Sequence, residues 1–231
     1  MTTTITESLI SAQTRMLRAL EAAQRGPDDA LLLAVSKTKP ASMIREAYEQ
    51  GQRDFGENYL QEALEKQKAL EDCDAICWHF IGPLQSNKTR DVAEHFAWVH
   101  SVDRVKIARR LSEQRPAHLP PLNICLQVNV SNEPSKSGVG LEDLPELAAQ
   151  VAALPGLQLR GLMTIPAPCD DTKAQRQPFR QLASALATLR EQLPQAPLDT
   201  LSMGMSADLE AAIAEGATMV RLGTAIFGSR Q

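Results

Sequence analysis

Short apolar runs alternate with helix-patterned segments along the whole chain, and this alternation restricts the fold more than any other feature. The runs lie at 31–37 (LLLAVSK), 53–57 (RDFGE), 78–82 (WHFIG), 98–102 (WVHSV), 122–130 (LNICLQVNV), 157–165 (LQLRGLMTI), 200–204 (TLSMG) and 218–222 (TMVRL). Helical spacing fills the gaps. Segment 42–50 places Met43, Ile44, Ala47 and Tyr48 on one face. Segment 58–71 does the same with Leu60, Ala63, Leu64 and Leu70, and 141–153 with Leu144, Leu147, Ala148 and Val151. Strict β–α alternation implies a parallel sheet with right-handed crossovers. Eight such units, preceded by an extra helix over about 4–25, predict a single α/β domain spanning 1–231. The expected architecture is a (β/α)8 TIM barrel with an added N-terminal helix. An open doubly wound sheet is the alternative, but its usual G-x-G-x-x-G turn is absent after the first run, where the chain reads TKPAS.

Composition narrows the function. The chain has 231 residues, 43% hydrophobic, with a net charge of −4, so a nucleic-acid partner is not expected. The N-terminal segment carries Glu7, Arg15 and Arg18 and reads as an amphipathic helix, not a signal peptide. No apolar run is long enough to span a membrane. The expectations are a cytoplasmic protein and, because no large exposed apolar face is evident, a monomer. Four cysteines, Cys73, Cys77, Cys125 and Cys169, suit a reducing compartment. Cys73, Cys77 and His79 are close in sequence, but C-x3-C-x-H without a second pair predicts no structural metal site.

Barrel chemistry gathers at the C-terminal ends of the strands. That rule selects Lys37 after the first strand, then Glu57 and Asn58 after the second. His79 and the 82–88 loop follow with the third, and Met163 and Thr164 with the sixth. Ser202, Gly204 and Ser206 come from the seventh, and Arg221, Gly223 and Thr224 from the eighth. A lysine closing a buried strand can act as a Schiff-base nucleophile when burial and a nearby cation lower its pKa. It can also reach water along its stem. SMGMSADLEAAI and VRLGT resemble the two loops that hold phosphate in barrels, with Ser206 expected where a helix begins. The same residues also suit a plain helix cap and turns. Asp208 must then point away from any phosphate. Arg221, inside the apolar run TMVRLGTAIFG, needs a partner. That partner is a carboxylate such as Glu57, or a ring nitrogen of a ligand. A Schiff-base lysine, a phosphate cradle and a buried cation together point to pyridoxal 5′-phosphate.

The motifs AVSKTKP (34–40), FGENYLQE (55–62), WHFIGPLQSNK (78–88), SKSGV (135–139), LMTI (162–165), LSMGMSADLEAAI (201–213) and VRLGTAIFG (220–228) resemble the YggS/PROSC family of pyridoxal phosphate homeostasis proteins, in the same order and over nearly the whole chain. The resemblance implies a barrel like the N-terminal domain of alanine racemase. It implies a Schiff base at Lys37, phosphate contacts from Ser206, Gly223 and Thr224, and Arg221 at the pyridine nitrogen. Asn58, His79, Met163 and Ser202 match positions that line the family's cofactor pocket. Ala207, where relatives often carry a polar residue, is a minor departure.

The chemistry also argues against a catalyst. The pyridoxal ring is strongest as an electron sink when its nitrogen is protonated. Arginine only donates there, which leaves that nitrogen an acceptor. Barrel-type racemases, by resemblance, use a second base, a tyrosine on an added β-domain of the partner subunit. The sequence stops three residues after GTAIFG, and its only tyrosines, Tyr48 and Tyr59, fall on helix-like segments. The expected role is therefore a carrier that holds the cofactor and releases it, possible recipients being apo-enzymes. The alternatives are a weak amino-acid racemase and a cofactor-free Schiff-base aldolase, the latter giving no reason for Arg221.

Overall fold

The computed structural model describes residues 3–229, and its eight barrel strands fall on the eight apolar runs. They are β1 (Leu31–Val35), β2 (Asp54–Glu57), β3 (Cys77–Phe80), β4 (Trp98–Val102), β5 (Leu122–Asn129), β7 (Leu157–Met163), β8 (Thr200–Ser202) and β9 (Met219–Leu222). A two-residue strand, β6 (Val139–Gly140), lies within the SKSGV motif and pairs only with the end of β5. All pairings are parallel, in the order β4-β3-β2-β1-β9-β8-β7-β5, and a β4–β5 pairing closes the barrel.

Strand alternation divides the apolar side chains into two cores. Leu32, Ala34, Phe55, Phe80, Val99, Ile124 and Leu222 face outward and pack under the helices. Leu33, Trp98, Cys125, Met163 and Met219 form a separate cluster inside the barrel. The inner cluster is small because polar side chains share the interior with it. Gly161 on β7 allows the β7–β8 approach, since a Cβ there would collide with the Thr200 carbonyl.

The surrounding helices are α1 (Ile5–Ala22), α2 (Ala41–Glu49), α3 (Leu60–Ala69), α4 (Thr89–His95), α5 (Val105–Gln114), α6 (Leu144–Ala152), α7 (Thr172–Gln192), α8 (Leu209–Ala214) and α9 (Thr224–Phe227). The expected extra helix is α1. It opens on a capping box in which Thr4 and Glu7 bond each other's backbone N–H. Its stripe of Leu9, Ala12, Met16 and Leu20 is buried against α2, α8 and α9. Burial of each leucine contributes about 1.5–3 kcal/mol. Arg15 adds a two-pronged bond to Glu210 on α8, both distances 2.7 Å. Among the described residues, no helix is long and apolar enough to cross a membrane.

Candidate functional site

Lys37 stands two residues beyond the end of β1, half-buried, in a turn and not in the strand itself. Thr38 beside it is forced into left-handed backbone geometry, φ 63°, which side chains other than glycine rarely adopt. Surrounding bonds hold that turn. The Thr38 N–H donates to Glu62 at 2.5 Å, and Lys39 Nζ donates to the Ser229 carbonyl at 2.9 Å. Beneath it, Ser36 Oγ donates to Glu57 Oε1 at 2.8 Å, while Lys66 Nζ donates to the Ser36 carbonyl and to Glu57 Oε1, both at 2.7 Å. Glu57 and Lys66 thus form a buried brace that fixes where Lys37 begins.

This brace decides the partner of Arg221. Glu57 is paired with Lys66 and not with Arg221. Arg221 is 4% exposed, and its fork donates to two neutral oxygens: Ser202 Oγ at 2.7 Å and the Thr164 carbonyl at 3.0 Å. A guanidinium has five N–H donors, so these two bonds leave others for a ligand. Burial lowers its pKa to about 10, which keeps it a cation at neutral pH.

The loops after β8 and β9 lie side by side. Gly204 accepts the Arg221 N–H at 2.9 Å and has φ 101°. A Cβ on Gly204 would stand 2.6 Å from the Ala212 Cβ, so only glycine fits this loop. Helix α8 starts at Leu209, with Asp208 at its cap, so Ser206 lies in the preceding turn and not at the helix start expected for it. Asp208 turns its carboxylate to the Met205 N–H at 2.7 Å, which overrides the helix-capping preference of Ser206. Among the described residues, the N–H groups of Ser206 and Ala207 make no backbone hydrogen bond. Gly223 caps α9, whose first residue is Thr224. Asn58 follows β2, and its side-chain Oδ1 is buried with no hydrogen-bond partner in the protein. An orphaned acceptor beside the lysine strand, together with unused Arg221 donors, fits a polar ligand in the barrel mouth.

His79 takes a different place from the others. It is fully buried on β3 and touches Asp54, through Nε2 at 2.8 Å, and His100, through Nδ1 at 2.9 Å. His100 Nδ1 in turn meets Ser202 Oγ at 2.8 Å. His79 therefore reaches Arg221 only through His100 and Ser202. Sequence reasoning missed His100, although a histidine at an inward position of WVHSV is a polar residue inside a barrel and was a readable signal. Burial pushes both imidazoles below the ordinary histidine range, so both are neutral. Met163 lies in the inner cluster with Leu33 and Cys125. Cys77, Asp54 and His79 bring possible ligand atoms within 4.8 Å of one another. The Asp54 carboxylate accounts for this grouping by bonding His79, and burial, with the nearby Asp54 charge, pushes the Cys77 thiol up to about 12.

The alanine racemase N-terminal domain family matches residues 11–231. A pyridoxal phosphate homeostasis protein of Pseudomonas aeruginosa is 62% identical over 227 residues, covering 98% of this chain and 96% of its own. That of Escherichia coli is 55% identical over 228 residues, covering 98% and 97%. This chain belongs to the pyridoxal phosphate homeostasis family, within the alanine racemase N-terminal domain family. Among solved structures, family member PipY of Synechococcus elongatus, with pyridoxal phosphate bound, superposes at a TM-score of 0.82 with 42% identity, covering 92% of this chain and 100% of PipY. Alanine racemase of Corynebacterium glutamicum, at 19% identity and a TM-score of 0.67, shares the fold; this chain spans 62% of its length.

Proposed function

We propose that this protein binds pyridoxal 5′-phosphate covalently on Lys37 and serves intracellular vitamin B6 homeostasis, handing the cofactor to apo-enzymes. The observation that carries the reading is Arg221, a buried guanidinium with neutral partners and spare donors in the mouth of the barrel. The PipY structure with the cofactor bound supports it from a relative. When bound, the cofactor would supply an aldehyde for the Lys37 amine.

The protein's own residues divide the work. The Glu57–Lys66–Ser36 brace orients the Lys37 turn. Ser206, Gly223 and Thr224 present hydroxyl and backbone N–H groups for the phosphate. Arg221 donates to the pyridine nitrogen, and Ser202 and the Thr164 carbonyl hold the guanidinium in place. Asn58 offers its unpaired oxygen, and Met163 packs in the interior below. An arginine that cannot give up its proton leaves the ring nitrogen an acceptor, which favours holding over catalysis. Neither tyrosine offers an obvious second base, since Tyr48 lies under Arg53 with 4.1 Å from guanidinium to ring centroid, and Tyr59 is 49% exposed.

Borohydride treatment of the cofactor-loaded protein followed by peptide mapping tests this reading. A pyridoxyl group on Lys37 is expected. Label on Lys39, Lys88 or Lys136 instead would overturn it.

A further inference from the structure

A continuous line of hydrogen bonds crosses the barrel interior from Arg221 to Asp54. Its links are Arg221 Nη1 to Ser202 Oγ, 2.7 Å; Ser202 Oγ to His100 Nδ1, 2.8 Å; His100 Nε2 to His79 Nδ1, 2.9 Å; and His79 Nε2 to Asp54 Oδ1, 2.8 Å. Ser202, His100 and His79 are all 0% exposed. Trp98 holds the two imidazoles in place, stacked on His79 at 5.4 Å and tilted against His100 at 5.8 Å between ring centroids. Asp54 ends the line at a cavity of about 340 Å³, on the opposite end of the barrel from the Lys37 turn, lined also by Asp28, Asp29, Arg160 and Asp199.

With both imidazoles neutral, the carboxylate end sets the direction of every bond, and the cationic end is compatible with it. Guanidinium can only donate, so Ser202 Oγ accepts from it and keeps its own proton available for His100 Nδ1. A neutral His100 with Nδ1 accepting carries its proton on Nε2, and so donates to His79 Nδ1. His79 then carries its proton on Nε2 and donates to Asp54. A carboxylate can only accept, and this end is what requires that order among neutral imidazoles. The line therefore has one polarity, cation to anion, with both histidines as neutral Nε2–H tautomers.

We propose that Asp54 is a positioning residue for the ligand contact of Arg221, acting through His79, His100 and Ser202. The carboxylate fixes both imidazole tautomers, which keeps His100 Nδ1 an acceptor. Ser202 is then oriented to receive from Arg221, which fixes the guanidinium and leaves its remaining donors for a ligand. Without the carboxylate the imidazoles can reverse. His100 would then present N–H to Ser202, whose hydroxyl would be drawn away from its present arrangement.

The inference rests on the reading that Arg221 meets a pyridine nitrogen, and the test separates the two. In the ligand-free protein, 15N NMR of labelled histidines should show His79 and His100 as Nε2–H tautomers. Asp54→Ala should mix those tautomers. It should also weaken pyridoxal phosphate binding about threefold to tenfold, while leaving binding of the 1-deaza analogue, which carries C–H in place of the ring nitrogen, within about twofold. Asp54→Asn retains an acceptor oxygen and should keep the wild-type tautomers and affinity. Opposite tautomers in the wild type, or equal losses for both ligands, or no loss for either in a folded Asp54→Ala protein, would overturn the assignment. Wild-type protein that fails to bind pyridoxal phosphate would instead overturn the function proposed above, and the ligand-free tautomers would still decide the polarity.

Discussion

Lys66 Nζ lies 2.7 Å from Glu57 Oε1, with the two side chains 7% and 0% exposed, and the same ammonium reaches Glu62 at 2.6 Å. The pair occupies the charge that an arginine in the next strands would otherwise have sought. It also supports the Ser36 carbonyl, one residue before Lys37.

Breaking that pair is expected to cost much of the protein's stability. Lys66→Met leaves Glu57 buried without its cation, a loss of about 3–5 kcal/mol. Burial already holds the Glu57 carboxyl above its usual range. The folded state thus binds that proton more tightly than the unfolded chain, and stability from this group falls as pH rises from the unfolded pKa through the raised folded one. Removing Lys66 takes away the main opposing influence and widens that window. Urea unfolding at about pH 5 and about pH 8 should show the larger loss at the higher pH. An equal or smaller loss there would mean that Glu57 is not ionised in the native brace.

Ser206→Ala is expected to weaken pyridoxal phosphate binding by about 1.5–3 kcal/mol, roughly tenfold to a hundredfold, with little effect on pyridoxal. Fluorescence titration with both ligands measures this. Equal changes for the two would place the phosphate elsewhere.

Incubation of the loaded protein with L-alanine and other amino acids should give racemisation no faster than free cofactor does, while an apo-enzyme in the same mixture gains activity. A turnover near ~1–1000 per second that disappears in Lys37→Ala would replace the carrier reading with a racemase one.

Much of this architecture was legible in the chain because each strand is a short apolar run between helical patterns, and a closed parallel barrel needs eight of them. The edges were less legible. LLLAVSK reads as one strand, but the ladder stops at Val35, where Ser36 turns to Glu57. Val139–Gly140 is too short for periodicity to register. Ser206 and Asp208 are comparable helix caps by propensity, so sequence alone could not say that the helix begins after Asp208. At the site, residue type and position made Lys37 and Arg221 candidates, and the structure puts Lys37 in the turn after β1 and Arg221 buried on β9. The partners were not readable, because Lys66 lies on an amphipathic helix where a lysine usually faces solvent, and its pairing with Glu57 is a tertiary event. His79 read as a pocket residue from its place just inside a strand end and from the family resemblance. Inward strand parity instead joins it to His100, which has no local motif.

The line from Asp54 to Arg221 also limits how this interior can change over time. Each member is the partner of its neighbours, so replacing His79 alone by an apolar residue leaves the Nε2 of the fully buried His100 without its acceptor and takes from the half-buried Asp54 its imidazole partner. Single apolar substitutions of its buried members are each costly, whereas exchanging the inner members together for hydrocarbon would restore an ordinary packed barrel. A relative that has lost one link is therefore expected to have lost or rebuilt the adjoining ones as well.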